Sequence, residues 1–420
     1  MKTLKEIYSV EKENNKIDSK FYAQYHVKQG LRNANGTGVK VGLTKICDVV
    51  GYDIVDDKKV DCEGRLIFRG YSIENLINRQ LAYEDIAFLL LMGRLPDTEE
   101  KSQFQYALLH SMKCEGLDCV MPSKHLLNSL QIELLKLYSL DADPDSSCLE
   151  DRFEKGIHIL SSVPLFVFSH FYNRKIAEYP LPDCDFATNI LVLARNDLHY
   201  SLQEVRVLNS LLMLHADHGG GNNSTFANVV ISSTGTDIYS CLSAAIGSLK
   251  GPRHGGAASK VTEQFKALQN EIGITKDASL IQSIIDRMLN KDFFDHSGLV
   301  YGIGHAIYTK SDPRAVLIKQ ECALLAKEKH MEDVFNMLCL FEQLAVQTMK
   351  EKKGVSCCAN VDFYSGFAYQ MLGIDPSLYT SFFAISRMVG WISHHLENFQ
   401  SNPKLIRPAN VYIGGLKDDK

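Results

Sequence analysis

Asp375-Pro-Ser-Leu-Tyr-Thr-Ser-Phe-Phe-Ala-Ile-Ser-Arg-Met-Val-Gly-Trp391 opens with a capping residue and a proline, then runs apolar on nearly every side. Asp as N-cap and Pro in the first turn are strong helix-start signals. The pattern carries this element to about Asn398 as the last and longest helix. Working outward from it, helical periodicity accounts for nearly everything after Tyr71. Residues 83–92 form a short apolar run with Asp85 near its start and Gly93 and Pro96 behind it. In 126–140, Leu126, Leu127, Leu130, Ile132, Leu134 and Leu135 recur at helical spacing, and in 204–215 Val205, Leu208, Leu211, Leu212 and His215 share a face. Asp237 caps a segment rich in small residues that Gly251–Pro252 ends, and further helices fit 260–270, 280–289, 313–329 and 333–350. The β signal is confined to Val, Ile and Thr segments between Gly38 and Gly70, broken by Gly42, Gly51 and Gly64, with short strands at 60–62 and 66–68. Strand and helix do not alternate, so a parallel sheet is excluded and the fold class is all-α. The first twenty residues read as a polar, loosely held arm.

A chain of 420 residues exceeds what one small core serves, so two domains are expected. Site-like, glycine-containing sequence bounds the segment 255–366, which marks it as a small domain hinged on a larger one built from 1–254 and 367–420. Hydrophobic content of 45% with 23% charged residues is that of a globular protein. A net charge of −5 without a dense basic block argues against nucleic-acid and anionic-membrane partners. No apolar run approaches the roughly 18 residues of a membrane span. Met1 to Ser9 lacks the apolar core of a signal peptide, and the eleven cysteines are scattered without a CxxC pair. They read as reduced, mostly buried residues of a cytoplasmic protein.

Four stretches join His, Asp or Arg to glycine: His215-Ala-Asp-His218 before Gly219–Gly221; Gly251-Pro-Arg-His254-Gly-Gly-Ala257; Tyr301-Gly-Ile-Gly-His305 with Asp312-Pro-Arg314; and Asn360-Val-Asp362-Phe-Tyr-Ser-Gly366. Glycine beside a reactive side chain lets backbone approach a ligand closely. Each histidine alone also fits a helix cap or a satisfied core position. A metal site on His215 and His218 is weakly supported, because no Cys or Glu of ligand spacing accompanies them.

The arginines shift the balance. Arg387 sits in the apolar helix quoted above, where a guanidinium is costly unless it meets an anion, either a ligand or an internal Asp or Glu. Arg314 lies just inside a helix start, where it opposes the dipole, so a bound carboxylate shared with that terminus is expected. Arg407, in Leu405-Ile-Arg-Pro408, is a third arginine among apolar neighbours. Three such cations suit a ligand with two or three carboxylates.

Gly251–Ala257, Gly304–Arg314, Asn360–Gly366 and Ser386–Trp391 resemble signature stretches of the citrate synthase family, as do Gly30–Gly38, Gly42-Leu-Thr44 and Leu66–Tyr71. The likeness runs from about residue 29 to 413 in the family's order. It implies a nearly all-helical homodimer with an active-site cleft between a large and a small domain. By position, His254 and Asp362 would flank the acetyl methyl of acetyl-CoA, and His305 would face the keto oxygen of oxaloacetate. His218, Arg314, Arg387 and Arg407 would hold the carboxylates, Arg407 reaching in from the partner subunit. Leu299, Val300, Tyr301, Gly302, Ile303 and Gly304 would lie against coenzyme A. No metal or other cofactor is implied, acetyl-CoA being a substrate. Arg253, Ala306 and His395 depart from the commoner pattern and bear on phosphate contacts, for which Arg253 and Lys310 are candidates.

These residue types suit proton removal beside a thioester carbonyl. Phe363 and Tyr364 would desolvate Asp362 and make it a better base near neutral pH. The helix start after Gly255–Gly256 would keep His254 neutral, able to donate to an enol oxygen. The rival activities are 2-methylcitrate synthesis from propionyl-CoA, and a non-catalytic CoA- or carboxylate-binding dimer. A mere binder needs no base, which counts against the latter.

Overall fold

The computed structural model describes residues 3–33, 35–56, 58–110, 125–252, 254–354, 356–401 and 404–414. The chain is mainly helical, and its centre is the Tyr379–Gln400 helix. Buried residues from Tyr379 to His395 cover nearly the whole circumference, and Trp391 and Arg387 are fully inaccessible. Around it pack Tyr83–Met92, Leu149–Phe171, Leu202–His215, Asn223–Ser232 and Ile238–Leu249. An all-round apolar helix must be enclosed by others, and this one is. Asp375 does act as a cap, accepting from Ser377 N–H, but what it caps is a 3-10 turn, Pro376–Leu378, that leads into the helix.

The expected helices all form. Tyr83–Met92 and Leu126–Leu140 have the expected bounds, and Asp237 caps Ile238–Leu249 by accepting from Ser240 N–H. The longest described helix, however, is Leu149–Phe171, at 23 residues against 22 for Tyr379–Gln400. Pro164 lies inside it, and a proline in an apolar run reads as a stop signal. Residues 3–20, where described, are exposed as expected of an arm, yet Thr3 and Glu6 close a capping box on a short helix, Leu4–Glu11.

The β region departs most from expectation. Two long antiparallel strands, β1 (Cys47–Val55) and β2 (Lys58–Phe68), pair from Cys47↔Phe68 to Val55↔Lys58, and β3 (Tyr71–Ser72) adds to β2. Gly51 and Gly64 do not break these strands. Gly51 lies at a register shift between Val50 and Tyr52. A Cβ there would stand 2.6 Å from Tyr308 Cα, and one at Gly64 would stand 2.7 Å from Tyr308 Cδ1. The glycines let the segment after His305 lie flat on the hairpin, where Thr309 Oγ1 donates to Gly51 O (2.8 Å) and Ser311 Oγ accepts from Gly64 N–H (3.1 Å). No helix among the described residues is long and apolar enough to cross a membrane.

Candidate active site

Each sequence motif ends up at the mouth of a helix. His215 closes Leu202–His215, and His218 follows in the turn beyond it. His254 precedes Gly256, the N-cap of Ala257–Ile272, so the dipole end expected beside it is present. Asp362 lies in the first turn of Val361–Met371, capped by Asn360. Asp312 caps Pro313–Glu328, which places Arg314 in its first turn.

His305 is held on both sides. Its Nδ1 accepts from Ile307 N–H and Tyr308 N–H, each at 3.1 Å, which leaves the imidazole proton on Nε2. Its ring stacks on Tyr308 at 4.7 Å and meets His218 edge-on at 5.2 Å. Burial, then the Arg314 charge, pushes the His305 pKa down to about 4, so the ring is a neutral donor. His254 is likewise pushed down to about 4 by burial and then by Arg387. Its Nε2 lies 3.2 Å from Ser224 Oγ, which also accepts from Trp391 Nε1 (3.2 Å). Asp362 goes the other way: desolvation raises it to about 6, against the pull of Arg314 and Arg387 and with a push from Asp312. Its side chain keeps partial solvent access. Two neutral imidazoles and a carboxylate tuned toward neutrality are what carbon-acid chemistry asks for.

These groups converge. The His218 pKa is depressed by burial and then by Arg314, His305, Arg387 and His254, four groups from three separate stretches of sequence. Buried polar atoms without partners also gather here: Nη1 and Nη2 of Arg387, Nε2 of His218, both ring nitrogens of His215 and the Tyr308 hydroxyl. Interiors pair nearly all their polar groups, so donors left open in one region of the interior suit a polar ligand. His215 and His218 do not converge on a common ion, since His215 lies over Phe383 (4.7 Å) while His218 faces His305 and Tyr308.

The two buried arginines differ. Arg387 Nε donates to His215 O (2.6 Å), and its carbon centre sits 4.7 Å over Phe383, with no salt bridge among the described residues. For Arg314 the sequence points to a bound carboxylate shared with its helix terminus, and the structure adds a carboxylate from within the chain. Arg314 Nε and Nη2 bond both oxygens of Asp312 (3.0 and 2.7 Å), the cap of its own helix. Asp312, fully buried, also accepts from Val361 N–H (3.2 Å), so it locks the Arg314 helix to the Asp362 helix.

A family model described as "Citrate synthase, C-terminal domain" matches residues 32–409. The chain belongs to the citrate synthase family. "Citrate synthase 2" of Bacillus subtilis is 35% identical over 83% of this chain and 90% of its own length, and the citrate synthase of Saccharolobus solfataricus is 31% identical over 88% and 94%. The 2-methylcitrate synthase of Shewanella oneidensis is 29% identical over 83% and 88%. In structure the chain is similar to the citrate synthase of Thermoplasma acidophilum, solved as a ternary complex with carboxymethyl coenzyme A and oxaloacetate (TM-score 0.78, 25% identity, 94% of this chain and 97% of that one). Citrate synthase from Thermotoga maritima gives a TM-score of 0.74 at 28% identity, with the same coverage. The helical fold is therefore that of citrate synthases, and citrate synthesis is the activity these relatives support.

Within this citrate synthase fold the 299–304 loop is fixed between two helices. Tyr301 N–H donates to Gln264 Oε1 (2.9 Å), Asn360 N–H to Gly302 O (2.9 Å), and Gly304 N–H to Cys358 O (2.8 Å). Val300 and Gly302 are buried, and Leu299 is exposed. Arg407 stands apart: it is exposed and makes none of the contacts above, while its neighbour Ile406 donates to Ser233 Oγ (3.1 Å). Arg253 lies outside the described residues, and Lys310 is exposed. Sequence reasoning passed over Ser224, Tyr308 and Asp312. Only Asp312 left a trace, as the acid two residues before an arginine at a helix start.

Proposed function

We propose that this chain condenses acetyl-CoA with oxaloacetate and water to give citrate and CoA, as an acyltransferase whose acyl group becomes alkyl. Asp362 removes a proton from the acetyl methyl group, and His254 donates a hydrogen bond to the thioester oxygen as the enolate forms. The enolate carbon bonds to the keto carbon of oxaloacetate, and His305 Nε2–H gives its proton to the new alkoxide. Water then cleaves the citryl thioester, releasing the CoA thiol. Arg387, with two open donors, is the principal carboxylate clamp; Arg314 and His218 assist. Arg407 completes the site of a partner subunit in a homodimer, and 299–304 lies against CoA. Residues 255–366 act as a small domain closing on the remainder, in a cytoplasmic enzyme needing no metal or further cofactor.

The observation that carries this reading is a neutral donor, His305, and a carboxylate raised to about 6, Asp362, both within the field of Arg314, together with a buried guanidinium with two unpartnered nitrogens, Arg387. Free thiol released from acetyl-CoA, with and without oxaloacetate, tests it: release must depend on oxaloacetate. The 2-methylcitrate synthase relatives favour one second reading, propionyl-CoA as the acyl donor. A methylene in an apolar pocket is worth about 1–3 kcal/mol, so kcat/KM for the two thioesters decides between them.

A further inference from the structure

Arg387, Gly390, His394 and Glu397 follow one another along one face of the Tyr379–Gln400 helix. That face reads the turn carrying His218. Arg387 Nε takes His215 O, and His394 Nε2 lies 3.2 Å from Asp217 Oδ2. At Gly390 a Cβ would stand 2.6 Å from Asp217 Oδ1 and would also meet Ala216 O, so the turn seats on bare helix backbone. Farther along, His394 Nδ1 lies 4.0 Å from Glu397 Oε2, and Glu397 Oε1 accepts from Lys45 N–H (2.6 Å), just before β1. His394 and Asp217 are both buried, at 3% and 0% exposure.

Asp217 is the foremost counter-charge to Arg387, yet the two are not in hydrogen-bond contact. Its Oδ2 is engaged by His394 and by Gly219 N–H (3.0 Å), and its Oδ1 is turned to Gly390, buried without a hydrogen-bond partner among the described residues. A buried guanidinium needs an anion nearby, but an anion in contact would occupy the donors meant for a ligand. An acid held one step away supplies the field and leaves the donors open.

We propose that His394 is a positioning residue for oxaloacetate: it holds the Asp217 carboxylate off Arg387, so that both terminal nitrogens of Arg387 stay free for a substrate carboxylate. This rests on the reading of Arg387 as a carboxylate clamp. Without His394, Asp217 turns onto Arg387 and competes with the substrate. The test measures KM and kcat for oxaloacetate, and its Kd from the fluorescence of Trp391, the single tryptophan. His394→Leu should raise KM and Kd about tenfold, the scale of one lost charge-assisted bond, with kcat within about twofold. His394→Gln, which keeps a donor of similar reach, should stay near the unaltered protein. Asp217→Asn added to His394→Leu should recover most of the lost affinity, because a neutral amide does not compete as an anion. Should His394→Leu fail to fold, His394→Asn, too short to reach Asp217, puts the same question. Unchanged KM and Kd on loss of His394, or a loss that Asp217→Asn does not reverse, overturns the proposal. Arg387→Leu separates the two ideas: if it leaves oxaloacetate binding intact, the clamp itself is wrong.

Discussion

Arg314 and Arg387 carry the same guanidinium and are almost equally inaccessible, at 3% and 0% exposure, yet the chain provides for them differently. Arg314 stands in the first turn of its helix, where the dipole is unfavourable, and Asp312 two residues earlier neutralises it with a two-point ion pair. Arg387 stands in mid-helix with one bond to a backbone carbonyl and an aromatic ring beneath it. One arginine is satisfied by the fold; the other keeps two buried terminal nitrogens without a partner among the described residues. The difference teaches that burial of a cation does not by itself indicate a ligand. What indicates it is burial with donors still open.

The carboxylate of Asp362 feels both cations, so its loss gives the largest effect. Asp362→Asn should lower kcat at least about 10²-fold, the usual worth of a positioned base, while oxaloacetate binding stays nearly intact because the arginines remain. Near-normal turnover would remove Asp362 from the role of base. The arginines themselves should then part company. Arg314→Leu leaves Asp312 buried without its partner, and breaking such a pair costs about 3–5 kcal/mol, visible as a marked fall in unfolding midpoint in denaturant. Arg387→Leu abandons no contact ion pair. Its unfolding midpoint should hold or rise, while oxaloacetate affinity falls about 10-fold to 10²-fold, as one or two charge-assisted bonds are lost. If both substitutions destabilise alike, the contrast fails.

That contrast also marks how far the sequence could be read. Helices such as Tyr83–Met92 and Leu126–Leu140 were legible because apolar period and end signals agree there. No expected helix covers the longest described one, Leu149–Phe171, whose middle is so thoroughly enclosed that packing overrides the breaker Pro164. Gly51 and Gly64 looked like strand ends because a glycine needed for close approach is indistinguishable, in one dimension, from one needed for a turn. The candidate site's histidines, Asp362 and Arg387 stand out in the sequence as glycine-flanked or apolar-embedded polar residues. The Asp312 pair was not, since an N-cap aspartate already has a local reason to be there and gives no hint of a second duty. Asp217 and His394 are separated by most of two hundred residues, and only the fold brings them into contact.

The smallest expected effect sharpens the comparison most. Asp362 is raised to about 6 by desolvation, and both arginines oppose that rise, Arg314 more than Arg387. A base works only when deprotonated, so kcat at saturating oxaloacetate should fall as pH drops through that region. His254 and His305, pushed down to about 4, are already neutral there and add no second limb above it. Removing a neighbouring cation disfavours the carboxylate, so either arginine's loss moves the limb to higher pH. The shift should be larger for Arg314→Gln than for Arg387→Gln, since Arg314 exerts the stronger pull and its loss also leaves Asp312 as an uncompensated negative charge beside the same group. In the proposed mechanism the arginine assigned less to holding substrate is thus the one that acts more on the base, and a pH profile with the order reversed would show that Asp312 does not separate the two roles.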